Sequence, residues 1–346
     1  MLLIIAFHSI YKGGFEFNQS GVLFNRLIYD FIYYWGEVGV NCFILISGFF
    51  IIETKFSLEK LLTMGLKMDI YLLLSNIILS LYDSKYAVYP WNYKQYLFPI
   101  LKNSYWFVTV YVLIYILTPY LKIFVLNIKD KSLRKMLEIQ IFVWSIFPTL
   151  RVLWLNDYNT EDMPYYNRYI WCLIIYLLGA YIKLYGIPII NSLKKSLISL
   201  MTLITLLLLF IIFAELCLRP NASITAVSFW RPNSLIVFLI SISLFTVFLY
   251  LEVDTNIIVN YVASCTLGIY MFHDGPLANI LWSGLFGNVK YQYSKQLVIR
   301  IMLSTITVFG VGVIAESIVR KIENFVMYIC IKTYSTLRGK IYSIRE

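Results

Sequence analysis

Charged residues are scarce in this 346-residue sequence: they make up 14% of the chain, whereas a soluble domain averages about 25%. Hydrophobic residues account for 60% of the chain, and the mean hydropathy is +0.74. The excess of apolar residues is spread over the whole chain rather than confined to one segment. This composition excludes a soluble protein with a single membrane anchor and predicts an integral membrane protein.

The apolar runs also lack the alternation of polar and apolar residues that marks the strands of a membrane barrel. Runs such as 197–218 and 234–251 are apolar all round, and a helix needs roughly 20 such residues to cross a bilayer. We therefore expect an all-α fold, a polytopic transmembrane helix bundle with about ten crossings. The first is expected to end near Ile10, and the others to lie at 36–52, 66–81, 106–126, 138–155, 169–184, 197–218, 234–251, 257–282 and 297–319.

Internal repeats and linkers rich in glycine and serine are absent from the sequence. Residues 1–346 are therefore expected to form a single membrane domain, and an inverted-repeat transporter is disfavoured. The five cysteines show no C-x-x-C spacing: Cys42, Cys172, Cys217, Cys265 and Cys330. Buried thiols that behave like apolar side chains are favoured over disulfides or zinc ligands, and no metal is expected.

The net charge of +10 is not gathered on a soluble domain, so nucleic acid is not an expected partner. Lys and Arg fall between the apolar runs, as in loops that face an anionic cytoplasmic leaflet. The densest cluster, 129–135, and the basic C-terminal tail fall on one side, whereas the acidic loop 156–162 falls on the other. We expect a multi-pass protein of the bacterial plasma membrane, in contact with its lipid and with both termini cytoplasmic.

The first apolar segment, residues 1–10, is too short to cross a bilayer, since ten helical residues span roughly 15 Å. The first helix is therefore expected to be truncated, either because the start codon is assigned too late or because the chain is shortened. Farther along, apolar residues in 21–35 recur at helical spacing. This pattern predicts an amphipathic helix lying on the outer interface.

Histidine is nearly absent, and both histidines, His8 and His273, fall inside expected crossings at similar depth in the outer half of the membrane. Ionisable groups at such depth are costly and are often functional. Imidazole is also well suited to take a proton from a sugar hydroxyl near neutral pH. Each histidine could instead bond a neighbouring helix, but the matching depth of the two favours a catalytic role for both.

The expected second crossing carries polar residues that apolar packing does not require, namely Glu37, Asn41 and Ser47. Asn41 and Ser47 could line a water-filled cavity or bond another helix, and Glu37 could orient a histidine across helices. The small residues of this segment allow close helix approach: Gly36, Gly39, Ser47 and Gly48. Asp274 follows His273 directly and points some 100° away on a helix, so it is not assumed to orient the imidazole. Three further acids lie within or near crossings: Asp69, Glu215 and Glu316.

Four segments, in this order, resemble the acyltransferase 3 family of membrane acyltransferases that modify cell-envelope polysaccharides. LLIIAFH at 2–8 resembles the end of the family's first helix, and GVNCFILISGFF at 39–50 resembles its G-V-x-x-F-x-x-x-S-G signature. The third segment is YWF at 105–107, with Tyr111 and Pro119 beyond it, and the fourth is LGIYMFH at 267–273. The family usually has a basic residue upstream of the first-helix histidine; here that position would precede Met1, which also favours a truncated first helix.

The resemblance implies transfer of an acyl group, usually acetyl from acetyl-CoA, to a hydroxyl of a polysaccharide or lipid-linked sugar. His8 would then be the general base or a transient acyl carrier, and His273 would position the donor or acceptor. The same motifs imply substrate-binding roles for Asn41, Ser47, Tyr105, Trp106 and Tyr270, and the polar Glu37, just before the second motif, is also expected to bind substrate. Acetyl-CoA is the expected donor substrate, and the 129–135 cluster could attract its phosphates, although a solvated loop explains that cluster as well.

Two other functions remain open at this point. A transporter or flippase of lipid-linked sugars would explain the crossings and aromatic residues without any reaction, and a polysaccharide polymerase would be a second kind of membrane enzyme. The choice between acetyl and succinyl, the acceptor sugar, the use of an acyl-histidine and the oligomeric state are also open.

Overall fold

A computed structural model describes residues 1–15, 23–53, 55–82, 100, 104–155, 167–218 and 231–343 of the chain. Within these ranges every regular element is a helix and no strand occurs, which confirms the all-α fold class. Expected features that fall in the loop 156–162 lie outside the described residues.

The helices are numbered here in chain order. They are α1 (Leu2–Tyr11), α2 (Leu23–Phe49), α3 (Leu58–Tyr82), α4 (Trp106–Asn127), α5 (Asp130–Ile141), α6 (Phe147–Leu155), α7 (Arg168–Tyr185), α8 (Leu193–Phe213), α9 (Leu235–Tyr250), α10 (Ile257–Ser264), α11 (Thr266–Asp274) and α12 (Leu297–Ser343). Wider π-helical turns lie at Phe142–Ile146, Ala214–Leu218 and Ile280–Phe286, and a 3₁₀ turn lies at Asn288–Tyr291.

Five described helices are long and apolar enough to cross a membrane: Leu58–Tyr82, Trp106–Asn127, Arg168–Tyr185, Leu193–Cys217 and Leu297–Cys330. Two shorter helices, Leu2–Tyr11 and Leu235–Tyr250, are also strongly apolar. These helices make the chain a membrane protein, as the composition predicts. The total of about ten crossings stays a prediction.

Several helices begin at side-chain caps that satisfy backbone N–H groups lacking a helical partner. Asn167 Oδ1 accepts hydrogen bonds from the N–H groups of Tyr169 and Ile170 at the start of α7. Asn256 caps α10 in the same way, and Ser192 accepts from the third residue of α8. Local polar chemistry therefore defines where these apolar helices start.

The N-terminal part of α2 corrects one expectation. The separate interfacial helix expected at 21–35 and the crossing expected from residue 36 form one continuous helix, Leu23–Phe49. Buried Tyr33 and Tyr34 precede Gly36 without a break. Gly36 lies within this helix and does not end it. Its Cα carries no side chain and faces the Phe7 ring, so this glycine allows close packing rather than a turn.

The crossing expected at 257–282 is also divided rather than continuous. α10 ends at Ser264 and α11 begins at Thr266. The side chains of Ser264 and Thr266 donate hydrogen bonds to backbone carbonyls three residues earlier. Such local bonds compete with the helical ladder, which gives a physical reason for the break at Cys265.

The chain forms two compact units. The first comprises Met1–Phe56, Leu113–Thr255 and Trp282–Ile306, and the second comprises Ser57–Val112, Asn256–Leu281 and Thr307–Glu346. In the first unit, α2, α8 and α9 share one apolar core, while α1 packs on α2 in another. The organisation of residues 1–346 as a single domain stays a prediction.

Candidate functional site

His8 lies in the last turn of α1, in the first unit, and its side chain is buried. Two glycines of α2 let α1 approach closely. A Cβ at Gly36 would overlap the Phe7 ring, and a Cβ at Gly39 would lie 2.9 Å from Ile4 Cγ1. The close helix approach predicted for these glycines is confirmed, and it sets the position of the helix that carries His8.

Aromatic rings of α1 and α2 pack together around the last turn of α1, which carries His8. Phe7 stacks on Tyr11 with ring centroids 5.2 Å apart, and it meets Tyr33 edge to face at 5.1 Å. Such pairs add to the energy of apolar burial. The His8 helix is thus held by ring packing and by glycines.

Glu37 is buried on α2, next to Gly36. The positive charge near it belongs to Arg168, the first residue of α7. A buried carboxylate in a membrane helix is costly unless a partner compensates it. This burial is compatible with the substrate-binding role predicted for Glu37 and does not test it.

Asn41 joins three segments of the first unit. Its Nδ2 donates to the carbonyl of Pro232 at 2.8 Å and to Ser241 Oγ at 3.2 Å, while its Oδ1 accepts from Trp171 Nε1 at 3.0 Å. Both amide donors and the carbonyl are therefore used within the protein. The structure gives Asn41 a helix-joining role that sequence analysis left as an alternative, and its substrate-binding role stays a prediction.

Ser47 and Gly48 also contact protein groups. Ser47 Oγ donates to the carbonyl of Phe43, one turn earlier on the same helix. A Cβ at Gly48 would overlap the backbone carbonyl of Tyr176, and Gly179 meets α2 equally closely. This is the tightest kind of helix crossing, in which two backbones touch.

His273 lies on α11 in the second unit and is fully buried. Its neighbours are aromatic: Tyr270 meets the imidazole edge to face at 6.1 Å, and Tyr270 also meets Phe107 at 5.6 Å and Tyr105 at 6.3 Å. Two segments singled out in the sequence, 105–107 and 267–273, therefore come together. Tyr105 also packs on the chain just after α11, where a Cβ at Gly275 would lie 2.7 Å from its hydroxyl.

The imidazole of His273 contacts the backbone of its own helix. The ring Nδ1 lies within hydrogen-bond distance of the carbonyl oxygen of Ile269, one turn earlier. A carbonyl can only accept, so Nδ1 carries the proton and the lone pair of the neutral ring is on Nε2. The contact with Ile269 therefore favours a proton on Nδ1 of His273.

Trp106 is the remaining residue for which substrate binding is predicted. It is the first residue of α4 and is half-buried. Its ring meets that of Phe107 edge to face at 5.7 Å. Among the described residues, no group of three or more His, Cys, Asp or Glu is arranged to hold a metal ion.

The other acids singled out in the crossings are placed differently from one another. Glu215 pairs with Arg26 at 2.8 Å in the first unit, whereas Asp69 is half-buried on α3. Glu316 is fully buried in the second unit and contacts Lys67 and Tyr71. Sequence analysis missed these two partners; the available signal was that Lys67 lies inside an apolar run.

A family model described as an acyltransferase domain matches residues 1–316. No curated protein and no solved structure matches the chain significantly. The match covers both histidines and all four segments that carry the resemblance. The helical fold, the membrane-spanning helices and this match agree, and the chain belongs to the acyltransferase 3 family.

Proposed function

We propose that the protein is a membrane O-acyltransferase that moves an acetyl group from acetyl-CoA to a hydroxyl of a cell-envelope polysaccharide or lipid-linked sugar. Membership of the family supports acyl transfer in general. The observation that carries the proposal is the buried imidazole of His273, whose Nδ1 is bonded to the Ile269 carbonyl inside an aromatic shell.

The reaction requires that a proton leave the acceptor hydroxyl while its oxygen forms the new ester bond. The bond between the acetyl carbon and the sulfur of coenzyme A breaks, and the thiolate that leaves takes up a proton. A neutral histidine can accept the first proton and return it to sulfur, so atoms and charge balance without an additional reagent. If the acetyl group is first carried on histidine, the same atoms are exchanged in two steps.

In this proposal His8 is the general base or transient acyl carrier, and His273 positions the donor or the acceptor through Nε2. Both imidazoles are buried. Burial favours this chemistry, because solvent water is kept away from the proton acceptor and does not compete with the acceptor hydroxyl. Binding contacts are assigned to six residues: Glu37, Asn41, Ser47, Tyr105, Trp106 and Tyr270. Tyr105 and Tyr270 line the aromatic shell of His273 and have the strongest geometric support.

We further propose that the protein lies in the plasma membrane with both termini cytoplasmic. Acetyl-CoA is a cytosolic compound, so its site must be reached from that side. The basic residues between the apolar runs are concentrated on the side that this orientation makes cytoplasmic.

The test uses His8→Ala and His273→Ala introduced at the chromosomal locus, so that the native start of the gene is retained. Base-labile acetate on the surface polysaccharide is measured together with the amounts of polymer and of protein in the membrane. Gly310→Ala is the matched control, because nothing lies within 4 Å of a Cβ at that site. We expect each histidine variant to lose acetylation by at least about 10²-fold with polymer export unchanged.

The alternatives give different results. Unchanged acetylation with collapsed polymer export would refute the enzyme and support a transporter. In membranes supplied with radiolabelled acetyl-CoA, we expect incorporation to fall as the pH is lowered, because a protonated imidazole cannot accept the hydroxyl proton. Succinyl-CoA supplied in parallel identifies the acyl group.

A further inference from the structure

One stripe of α12 contacts the start of α11 at three successive turns, all within the second unit. The stripe consists of Gly312, Glu316 and Arg320, which follow one another at four-residue spacing and so lie on one helix face. None of these residues carries a proposed catalytic or binding role above, and none lies in the four motif segments. Their contacts nevertheless converge on the short helix that carries His273.

Glu316 is the centre of the stripe and is fully buried. Its Oε1 accepts from Lys67 Nζ, and its Oε2 accepts from the Tyr71 hydroxyl at 2.9 Å. Lys67 also lies 3.2 Å from Glu323 Oε2, and Arg320 Nε lies 3.3 Å from Glu316 Oε1. Two cations meet two anions, so the cluster is internally neutral and does not form a site for the phosphates of a ligand.

Gly268 of α11 meets this carboxylate directly. A Cβ at Gly268 would overlap Glu316 Oε2 and would lie 2.6 Å from the Tyr71 hydroxyl. The carboxylate thus occupies the notch that glycine leaves. Because Lys67 and Tyr71 hold both oxygens, Glu316 cannot easily turn away from α11.

Arg320 and Gly312, at the two ends of the stripe, contact the break before α11 and α11 itself. Arg320 Nη2 donates to the carbonyl of Ser264 at 2.7 Å, at the break that precedes the helix. A Cβ at Gly312 would lie 3.1 Å from Ile269 Cγ2 and 3.4 Å from its Cα. Ile269 is also the residue whose carbonyl holds the Nδ1 of His273.

We propose that Gly312, Glu316 and Arg320, with Lys67 and Tyr71, form a positioning device for His273 that fixes the height and rotation of α11. His273 lies five positions after Gly268, roughly 7.5 Å along a helix. A rigid helix of this length carries a displacement at its start to the imidazole, and a misplacement of about 1 Å can lower a rate by about 10²-fold. The inference rests on the proposed acyl transfer, in which His273 contacts a substrate.

The decisive variant is Gly268→Ala, which places a methyl group in the notch. Gly65→Ala on α3 and Gly310→Ala on α12 are matched controls, because a Cβ at either site meets nothing within 4 Å. Acetyl incorporation is measured in native membranes at several acetyl-CoA concentrations and is normalised to the amount of folded protein. We expect Gly268→Ala to lower kcat by about 10- to 100-fold, with KM for acetyl-CoA little changed and both controls like the wild type.

A compensating variant separates positioning from simple destabilisation. Glu316→Asp shortens the side chain by one methylene group, which makes room for the methyl group added at position 268. We expect the double variant Gly268→Ala/Glu316→Asp to recover part of the kcat lost in Gly268→Ala, which is a favourable coupling between two residues in contact. Additive losses, or a Gly268→Ala enzyme with the kcat of the controls, would overturn the proposal.

Two further measurements keep the result decisive. If Gly268→Ala does not accumulate in the membrane, the isosteric Glu316→Gln variant is used, and an unchanged kcat per folded molecule overturns the proposal. If the wild type itself transfers no acetyl group, the proposed function fails, and alkylation of the buried Cys265 at the start of α11 then tests positioning alone. Faster alkylation of Cys265 in Gly268→Ala than in Gly65→Ala, with buried Cys172 unchanged, supports the device, and equal rates refute it.

Discussion

The helices that carry the two histidines are held by different kinds of contact. In the first unit, α1 lies against glycines of α2, and its own rings, Phe7 and Tyr11, pack on Tyr33 of α2. In the second unit, α11 is held by a buried carboxylate with its lysine and tyrosine partners. Neighbouring rings can shift to accommodate a substitution, so the stability that they provide falls gradually. A buried ion pair loses its stabilising effect at once when one member is removed. We therefore expect the second unit to be the more sensitive to single substitutions.

The largest effect is expected for Lys67→Met, which removes the buried cation on Glu316 Oε1 and leaves only Arg320, at 3.3 Å, beside the carboxylate. Removing one partner of a buried pair costs about 3–5 kcal/mol, and Lys67 and Glu316 are both largely buried. Thermal unfolding in detergent or nanodiscs should show a strong loss of stability. The double variant Lys67→Met/Glu316→Gln should be more stable than Lys67→Met; if it is less stable, the pair does not hold the unit together.

Gly48→Ala comes next, because its methyl group would meet the backbone of α7 rather than a side chain. Overpacking of this kind costs about 1–3 kcal/mol. At Gly36 the methyl group would overlap the Cβ and the ring of Phe7, which belong to a side chain rather than to the backbone. Gly36→Ala should therefore lower stability less and affect activity by displacing the turn of α1 that carries His8. Equal losses of stability in the two variants would contradict the difference between backbone and side-chain contacts.

Asn41→Ala separates a structural role from a binding role. The substitution leaves Trp171 Nε1 and the Pro232 carbonyl without their partner, at a cost of about 1–3 kcal/mol. We expect lower thermal stability from the lost bonds, and the proposed binding contact adds a raised KM in the folded fraction. An unchanged KM in the folded fraction would leave Asn41 with a structural role alone.

The smallest effect is expected for Arg134→Gln on α5. Arg134 bonds Glu138 at 2.8 Å, and this hydrogen bond raises the pKa of the guanidinium. Both side chains are 60% exposed, so water screens the pair and its loss should leave stability unchanged. A measurable loss of stability would mean that charge pairing, rather than burial, determines which substitutions destabilise this protein.

The sequence was sufficient for the helical class and for the close approach of α1 to α2. Apolar runs of the right length predict membrane helices, and Gly36 and Gly39 have no other evident purpose within such a run. The run Ser264, Cys265 and Thr266 was a usable signal for the break before α11, since such side chains compete with the helical ladder.

The pairing of Lys67 with Glu316 could not be predicted from one sequence. The two residues lie 249 positions apart, and a lysine just inside the start of an apolar run resembles any other basic residue that flanks a crossing. The same holds for the bond between Trp171 and Asn41, which are 130 positions apart. Periodicity identifies faces of helices, but it carries no information about which distant faces meet.

The long interval between Lys67 and Glu316 has a consequence for biosynthesis. At about 5–20 residues per second, the ribosome reaches the codon for Glu316 roughly 12–50 s after that for Lys67. During this interval α3 holds an uncompensated cation in an apolar segment, which favours its return toward the translocation channel or the headgroups. We therefore expect integration of α3 to be completed only when α12 arrives and Glu316 supplies the anion that pairs with Lys67.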